Sequence, residues 1–212
     1  MAFKGWPAEA LHFYEGLEAD NSKAYWTDHK ATYDECVRAP MDELLAELAP
    51  EFGAGKVFRP YRDVRFSADK SPYKTAIAAT LGEGGYVHLS ATGLFVGAGI
   101  YHMASDQLER YRSAVADDKS GAALASVVAD LRKAGLDVVG HETLKTAPKG
   151  YPKDHPRVDL LRHKGLVAMK DWPAEPWLGT RKAKDRIVQA LRKCGPLNEW
   201  LRKHVGDSAQ DR

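Results

Sequence analysis

The chain has 212 residues, of which 44% are hydrophobic and 28% are charged, and its formal net charge at pH 7 is +2. This composition is typical of a globular protein, and two cysteines are too few for a disulfide scaffold. No apolar run approaches the ~20 residues that a membrane-spanning helix needs, and the small net charge argues against an obligate polyanionic partner.

The N-terminal quarter of the sequence predicts helices and carries more acidic than basic residues. A first helix is predicted over residues 7–19, because its apolar residues recur at helical spacing. Asn21 is a candidate N-cap for a second helix over residues 22–38. Pro40 predicts an interruption, after which residues 41–49 predict a third helix.

Residues 58–75, here called the basic stretch, combine more positive charge with more aromatic residues than any other window of this length. Five cations stand against two carboxylates, which leaves an excess of three positive charges. The charged and aromatic residues of the basic stretch are Arg59, Arg62, Arg65, Lys70, Lys74, Asp63, Asp69, Phe58, Tyr61, Phe66 and Tyr73.

Alternation within the basic stretch predicts an extended segment over residues 58–66, with Phe58 and Phe66 on the side that faces the core. Arg62 is the polar exception on that side. A guanidinium there needs a carboxylate, a carbonyl or a bound anion, because burying it unpaired costs several kcal/mol. Residues 67–72 predict a turn, since their Asp and Ser side chains can bond the local backbone.

Two interpretations of the basic stretch remain open at this point. In the first, its arginines and aspartates form a salt-bridge lattice that fixes the local structure. In the second, the basic groups converge on a phosphate, sulfate or carboxylate, a task for which the planar guanidinium is well suited.

Three segments after the basic stretch predict an antiparallel meander, since they are extended and joined by glycine-rich links. The segments are residues 73–81, 86–91 and 94–101, with links at residues 82–85 and at Gly93. Two helices are predicted next, over residues 106–115 with Ser105 as N-cap and from Ser120 to Gly135, followed by a strand over residues 136–140.

The C-terminal half contains a second basic segment, residues 145–170, with a proline- and glycine-rich loop at residues 146–156. A short helix over residues 156–162 and a strand over residues 166–170 are predicted after it. We expect Lys145, Lys149 and Lys153 to be exposed and to meet the basic stretch in space. Thr180 is predicted to cap a helix that ends at about Lys193, where Gly195 stops it, and Pro196 to begin the last helix.

Several kinds of chemistry leave no signature in the sequence. The eight histidines show no metal-ligand spacing, and neither a nucleophile elbow nor a phosphate-binding loop occurs. Cys36 and Cys194 are predicted to be small buried or half-buried residues rather than nucleophiles. We therefore predict no metal and no cofactor, and we leave open whether the protein is an enzyme. Residues 1–16 lack the features of a secretory signal, so a cytoplasmic location is expected.

The run RPYRDVRFSADKSPYKT, within the basic stretch, resembles the signature of the domain of unknown function 2461 family, a group of uncharacterised conserved hypothetical proteins of bacteria and fungi. Later segments such as GLFVGAGIYHMASDQLERYR are also similar to that family, and the resemblance spans roughly residues 3–200. The sequence departs from the family at Asp20-Asn21, where two asparagines are usual. The resemblance implies a single α+β domain and no particular activity.

The predicted fold is α+β, a single domain over residues 1–206 followed by a flexible tail at 207–212. A central, mostly antiparallel sheet is covered by helices from both ends of the chain. The C-terminal part adds strands near residues 138 and 166 to the meander.

The predicted function is binding, with processing as an open question, of a small ligand that carries a phosphate or carboxylate. Tyr61 and Tyr73 would supply hydroxyls or stacking faces, and Asp63 would orient an arginine or act as a base. Nucleic acid is a weaker alternative partner, no membrane partner is expected, and a structural or protein-interaction domain is a further alternative. The predicted ligand-binding residues are Arg59, Tyr61, Arg62, Asp63, Arg65, Lys70, Tyr73, Lys74 and Lys149.

Overall fold

A computed structural model of the protein describes residues 2–82 and 84–209. In this part of the chain, helices precede and follow a six-stranded antiparallel sheet, which confirms the predicted α+β class. The strands are β1 (Gly55–Val57), β2 (Ala76–Leu81), β3 (Gly85–Ser90), β4 (Gly93–Ile100), β5 (Asp137–Val139) and β6 (Leu166–Pro173). The α-helices are α1 (Ala8–Ala19), α2 (Lys23–Asp28), α3 (Lys30–Thr32), α4 (Ala39–Phe52), α5 (Ser105–Ala116), α6 (Asp118–Lys133), α7 (Val158–Leu161) and α8 (Lys182–His204).

The strands are hydrogen-bonded in the order β1-β2-β3-β4-β6-β5, which contains the predicted meander. Strands β2 and β3 pair in a register that places Ala78 opposite His88. The predicted link at residues 82–85 includes Glu83, which lies outside the described residues. Strand β1 pairs antiparallel with β2, and β5 pairs antiparallel with β6.

The chain divides into two compact units, Met1–Val96 with Asp171–Gln189 and Gly97–Lys170 with Ala190–Arg212. The prediction of a single domain stays a prediction. None of the helices in the described ranges combines the length and apolar character needed to cross a bilayer.

An aromatic cluster forms the core of the first unit beside the N-terminal helices. The Trp26 ring stacks on Tyr73 with ring centres 4.4 Å apart and planes 7° apart. Phe13 and Tyr33 pack against Trp26 at centroid distances of 5.8 and 4.8 Å. Stacked and edge-on rings of this kind add to the free energy gained from burying their area.

The predicted break at Pro40 is wrong, because the chain remains helical through it. A π-helical turn, Tyr33–Arg38, precedes α4, and the Ala39 amide donates to the Asp34 carbonyl. Pro40 falls in the first turn of α4, where a missing amide hydrogen costs little. Pro40 and Met41 are both buried, so packing favours the continuous path.

Glu47 on α4 connects three parts of the first unit. It accepts hydrogen bonds from the Phe3 amide at 2.8 Å and from the Lys184 ammonium, and it pairs with Arg181 at 3.3 Å. These donors, led by Lys184, hold the pKa of Glu47 below its ordinary value of 4.5.

We expect Glu47→Ala to lower the free energy of unfolding by about 1–3 kcal/mol, because the buried Phe3 amide loses its acceptor. A carboxyl whose pKa is depressed on folding stabilises the protein above its unfolded pKa. The wild-type advantage should therefore shrink as the pH falls below about 4.5. Urea unfolding at pH 7 and at pH 3.5 measures both effects.

Glu43→Ala on the same helix is the matched control for this prediction, since the Glu43 side chain makes no hydrogen bond or ion pair to any residue in the described ranges. Equal losses in the Glu43 and Glu47 variants would contradict the role given to Glu47.

Arg157 caps the end of α5 in the second unit. Its side chain is 12% exposed, and it donates to the Val115 carbonyl at 2.7 Å and to the Ala116 carbonyl at 3.0 Å. Gly121 leaves room for it, since a Cβ there would lie 2.5 Å from the Arg157 Nε. This cation of the second basic segment satisfies carbonyls at a helix C-terminus, where positive charge is favourable.

Three predicted helix boundaries in the second half are wrong. The N-cap of α5 is Ala104 and not the predicted Ser105. Helix α6 begins after Asp117 and not after Ser120 as predicted, and the Asp117 side chain accepts hydrogen bonds from the Lys119 and Ser120 amides. Helix α8 continues through the predicted stop at Gly195 and Pro196.

The C-terminal residues 207–209 contact α5 in the second unit. The Ser208 hydroxyl and the Ala209 amide donate to the two carboxylate oxygens of Asp106, at 2.8 and 3.0 Å. The first residues of the flexible tail predicted for residues 207–212 therefore pack on α5. Its last three residues lie outside the described residues.

Candidate functional site

The basic stretch forms a loop that leaves the sheet after β1 and returns before β2. An antiparallel bridge between Tyr61 and Tyr73 closes the base of the loop. The Lys74 amide donates to the Pro60 carbonyl across this base at 2.8 Å. The two ends of the loop are therefore fixed, and the residues between them form its tip.

The prediction that Phe58 and Phe66 face the core is wrong. Phe66 is 96% exposed and Phe58 is 39% exposed. The loop is closed by one bridge and forms no continuous strand along residues 58–66, so the alternating pattern has no buried surface to face.

Two ion pairs use both carboxylates of the loop. Arg62 pairs with Asp69, and Arg65 makes a two-pronged contact with Asp63 at 3.0 and 2.7 Å. These contacts agree with the salt-bridge lattice. The Arg65–Asp63 pair is exposed and the Arg62–Asp69 pair is partly exposed, so both are screened by water and contribute little to the stability of the folded protein.

Both aspartates of the loop have lowered pKa values. The Ser71 hydroxyl and amide donate to one Asp69 oxygen at 2.6 and 2.9 Å, and these bonds, with that of Arg62, lower the pKa of Asp69. Hydrogen bonds from Arg65 likewise lower the pKa of Asp63. A lowered pKa makes Asp63 a weak base, so its geometry favours the predicted orienting role over the basic one.

The other three cations of the loop pair with no carboxylate in the part of the chain that the structure describes. Lys70 donates to the Val64 carbonyl at 3.0 Å. Within residues 2–82 and 84–209, no carboxylate oxygen lies within 4.0 Å of Arg59, Lys70 or Lys74. The Lys74 ammonium lies over the Phe58 ring, 5.3 Å from its centre.

A groove of about 590 Å³ lies between the loop, the end of α1 and one face of the sheet, entirely within the first unit. The sheet supplies Tyr86 and His88 from β3, and α1 supplies Glu18. Arg62 and Lys74 line the groove from the loop.

Asn21 fixes one wall of the groove and is not the helix cap that was predicted. Ser22 takes that position, accepting from the Tyr25 amide at 3.1 Å. The Asn21 side chain instead accepts from the Tyr73 amide at 3.0 Å and donates to the Tyr73 carbonyl at 3.1 Å. With Trp26 stacked on its ring, Tyr73 is held on both its backbone and its side chain.

The groove gathers some of the predicted binding residues and not others. Arg62, Tyr73 and Lys74 line it. Five predicted residues of the loop lie outside the lining: Arg59, Tyr61, Asp63, Arg65 and Lys70. Lys149 is exposed, as Lys145 and Lys153 are, in the loop of the second unit.

Sequence reasoning missed the groove residues that lie outside the basic stretch. Tyr86 and His88 are two residues apart on β3, so their side chains share one face of the sheet, while the buried Val87 and Leu89 share the other. That alternation could have identified Tyr86 and His88 from the sequence as residues on the uncovered face of the sheet. Glu18 and Asn21 gave no such signal, because their approach to the groove depends on how α1 and α2 pack.

His88 lies at the sheet end of the groove beside the Phe95 ring, 6.1 Å away between ring centres. Burial lowers the pKa of His88 below its ordinary value of 6.5, and the nearby Asp171 carboxylate partly opposes this. Burial therefore favours the neutral form of the imidazole.

We expect the free energy of unfolding to fall as the pH decreases below about 6.5, because the unfolded chain then binds a proton that folded His88 resists. His163, whose pKa is also lowered by burial, adds to this slope. His88→Gln and His163→Gln should each reduce the slope, measured by urea unfolding between pH 5 and 8. An unchanged slope in the His88 variant would contradict the assignment.

Within the described ranges, no group of three histidine, cysteine, aspartate or glutamate side chains is arranged to hold a metal ion.

A family model described as "Conserved hypothetical protein (DUF2461)" matches residues 9–200. The chain belongs to this family. The match spans both units and includes the whole basic stretch, so the resemblance read from the sequence is confirmed.

Among solved structures, the chain is similar to a conserved hypothetical protein from Pyrococcus furiosus. The two share 15% sequence identity with a TM-score of 0.36, and the match covers 74% of this chain and 90% of the other. A comparison with curated proteins gives no match.

Proposed function

We propose that the protein binds a small ligand bearing a phosphate or carboxylate in the groove, with the acid group on Arg62 and Lys74. The observation that supports this most is the presence of two cations in one groove, one of which, Lys74, has no carboxylate within 4.0 Å in the described ranges. A lysine in such a position is a ready partner for an anion.

Arg62 retains donors for a ligand despite its ion pair. A guanidinium has five N–H donors, and within the described ranges one nitrogen, Nη1, donates to Asp69. The remaining donors can make the paired hydrogen bonds that arginine forms with phosphate and carboxylate.

The two carboxylates in the lining limit how much negative charge the groove accepts. Glu18 and Asp69 oppose the two cations, so the lining is close to neutral. This balance favours a ligand with one acid group over a polyanion. Phe58 and Tyr86, with ring centres 6.4 Å apart, provide an apolar surface for the rest of the ligand.

The test is thermal unfolding of the wild type and of Lys74→Met with phosphate, sulfate, acetate, dicarboxylates and phosphate esters. A ligand at about 100 times its dissociation constant should stabilise the wild type by ~2.7 kcal/mol and raise its Tm by about 5–10 °C. Lys74→Met should weaken the binding by about tenfold or more, because a charge-assisted contact is lost.

Lys56→Met is the matched control, since Lys56 is exposed on β1 and does not line the groove. The proposal fails if no compound of the panel stabilises the wild type, or if the Lys56 and Lys74 variants respond alike.

Single-stranded nucleic acid is a second candidate ligand, on loop residues that do not line the groove. The fully exposed Phe66 ring lies beside the Arg65 guanidinium, 5.9 Å from the ring centre, and Tyr61 is half exposed. Bases stack on exposed rings of this kind while cations contact the phosphates. Binding to oligothymidylate should then weaken with salt, and Phe66→Ala should cost about 1–3 kcal/mol of binding. No binding at low salt would remove this candidate.

A further inference from the structure

A second cavity, of about 260 Å³, adjoins the groove on the same face of the sheet and also lies within the first unit. His88 lines both spaces. Beyond it, the second cavity is lined by Phe95 of β4 and by Asp171 and Trp172 of β6. The two cavities are therefore neighbouring compartments, and one ligand can occupy both.

A strip of three aromatic rings runs along this face from one compartment to the other. Phe58 lies 6.4 Å from Tyr86, and Tyr86 lies 5.7 Å from Phe95, measured between ring centres. His88 lies beside the strip, 6.3 Å from Tyr86 and 6.1 Å from Phe95. The middle of the site is thus an aromatic surface.

Opposite charges stand at the two ends of the strip. Lys74 lies over the Phe58 ring at one end. At the other end, the Asp171 carboxylate accepts no hydrogen bond from the described residues, and no cationic nitrogen among them lies within 4.0 Å of it. Phe95 lines the same cavity, and an aromatic ring next to a carboxylate is a favourable environment for an ammonium group.

We infer that the ligand is an extended molecule with an acid group at one end and an ammonium group at the other, of the class of short peptides with free termini. This inference rests on the proposed function, because it assigns the carboxylate to Lys74 and Arg62. It adds that the ammonium binds Asp171 and that apolar side chains lie on the Phe58–Tyr86–Phe95 strip.

The spacing of the strands sets the length of such a ligand. The strip crosses from the β1–β2 side of the sheet to β6, and adjacent strands lie about 4.8 Å apart, so the two charges are separated by a distance on the order of 15 Å. An extended peptide advances about 3.3–3.6 Å per residue, so about four residues match this distance. A dipeptide is too short to reach both charges.

The experiment measures the affinity of a tetrapeptide of alternating alanine and phenylalanine by calorimetry, together with its N-acetylated and C-amidated forms. Acetylation removes the ammonium and should weaken binding to the wild type by about tenfold or more, but leave binding to Asp171→Asn unchanged. Amidation removes the carboxylate and should weaken binding to the wild type to a similar extent, but leave binding to Lys74→Met unchanged. The corresponding dipeptide should bind more weakly than the tetrapeptide.

The outcomes separate this inference from the proposed function. The inference is overturned if acetylation has no effect on wild-type binding, if Asp171→Asn remains sensitive to it, or if the tetrapeptide does not bind while simple carboxylates or phosphates do. In each of these cases the proposed function stands if the simple anions depend on Lys74. If neither the peptides nor the simple anions bind, both are wrong. Asp171 is exposed, so circular dichroism and Tm should show that its variant folds as the wild type does.

Discussion

Trp26→Ala should lower the free energy of unfolding by about 3–5 kcal/mol and lower the Tm by an amount on the order of 10 °C. Trp26 is 5% exposed, and its ring packs against Phe13, Tyr33, Tyr61 and Tyr73. Removing the indole loses the transfer free energy of a large side chain and leaves a cavity among rings that are too rigid to fill it. Urea and thermal unfolding measure the loss.

Phe66→Ala is the matched control for this experiment, because it removes a ring of the basic stretch that is almost entirely exposed. Its stability should be close to that of the wild type. A large loss in the Phe66 variant, or a small one in the Trp26 variant, would show that the aromatic cluster is not the core of this unit.

Gly5→Ala should destabilise the protein by about 2–5 kcal/mol, for two reasons that add. Gly5 has a φ of +109°, which an alanine adopts only with strain. A Cβ at this position would also lie 2.2 Å from the Thr180 amide nitrogen and 2.6 Å from the Leu178 carbonyl oxygen. The neighbouring Trp6 amide donates to that same carbonyl at 2.8 Å, so the backbone cannot move away without breaking a hydrogen bond.

Gly195→Ala should have the opposite effect and raise the free energy of unfolding by about 0.5–1 kcal/mol. Gly195 lies within α8, and a Cβ there would have no atom within 4 Å. Alanine therefore adds helix propensity without a clash. Chemical denaturation of the two variants side by side tests the contrast, and destabilisation by both would contradict the continuous helix at Gly195.

The local patterns that predicted α1 and the meander succeeded because each element carries its own signal. Helix α1 shows apolar residues at helical spacing, and β2 to β4 are apolar segments separated by glycines. These signals depend on residues close in sequence, and tertiary packing reinforces them.

The helix breakers misled the prediction where packing overrides propensity. Pro40 and Pro196 both lie inside continuous helical paths. In α8 the buried residues Leu191, Cys194 and Leu197 keep helical spacing across the proline, so the free energy of burial outweighs the propensity cost. Apolar residues that keep helical spacing on both sides of a proline were the signal that could have corrected the prediction.

The candidate site was predictable in its charge and not in its shape. The excess of cations in the basic stretch is visible in the sequence, and Arg62 and Lys74 do line the groove. Which cations keep free donors depends on distances, since Asp63 and Asp69 pair with Arg65 and Arg62 rather than with the other three cations.

Amide chemical-shift mapping by NMR is the direct test of the proposal that the groove binds an acid group. Inorganic phosphate and acetate are titrated into isotopically labelled protein. Binding in the groove should give saturable shifts concentrated at residues 71–78 and 86–88, and these shifts should be lost in Lys74→Met. Saturable shifts confined to the exposed loop at residues 146–156, or no saturable shifts at all, would contradict it.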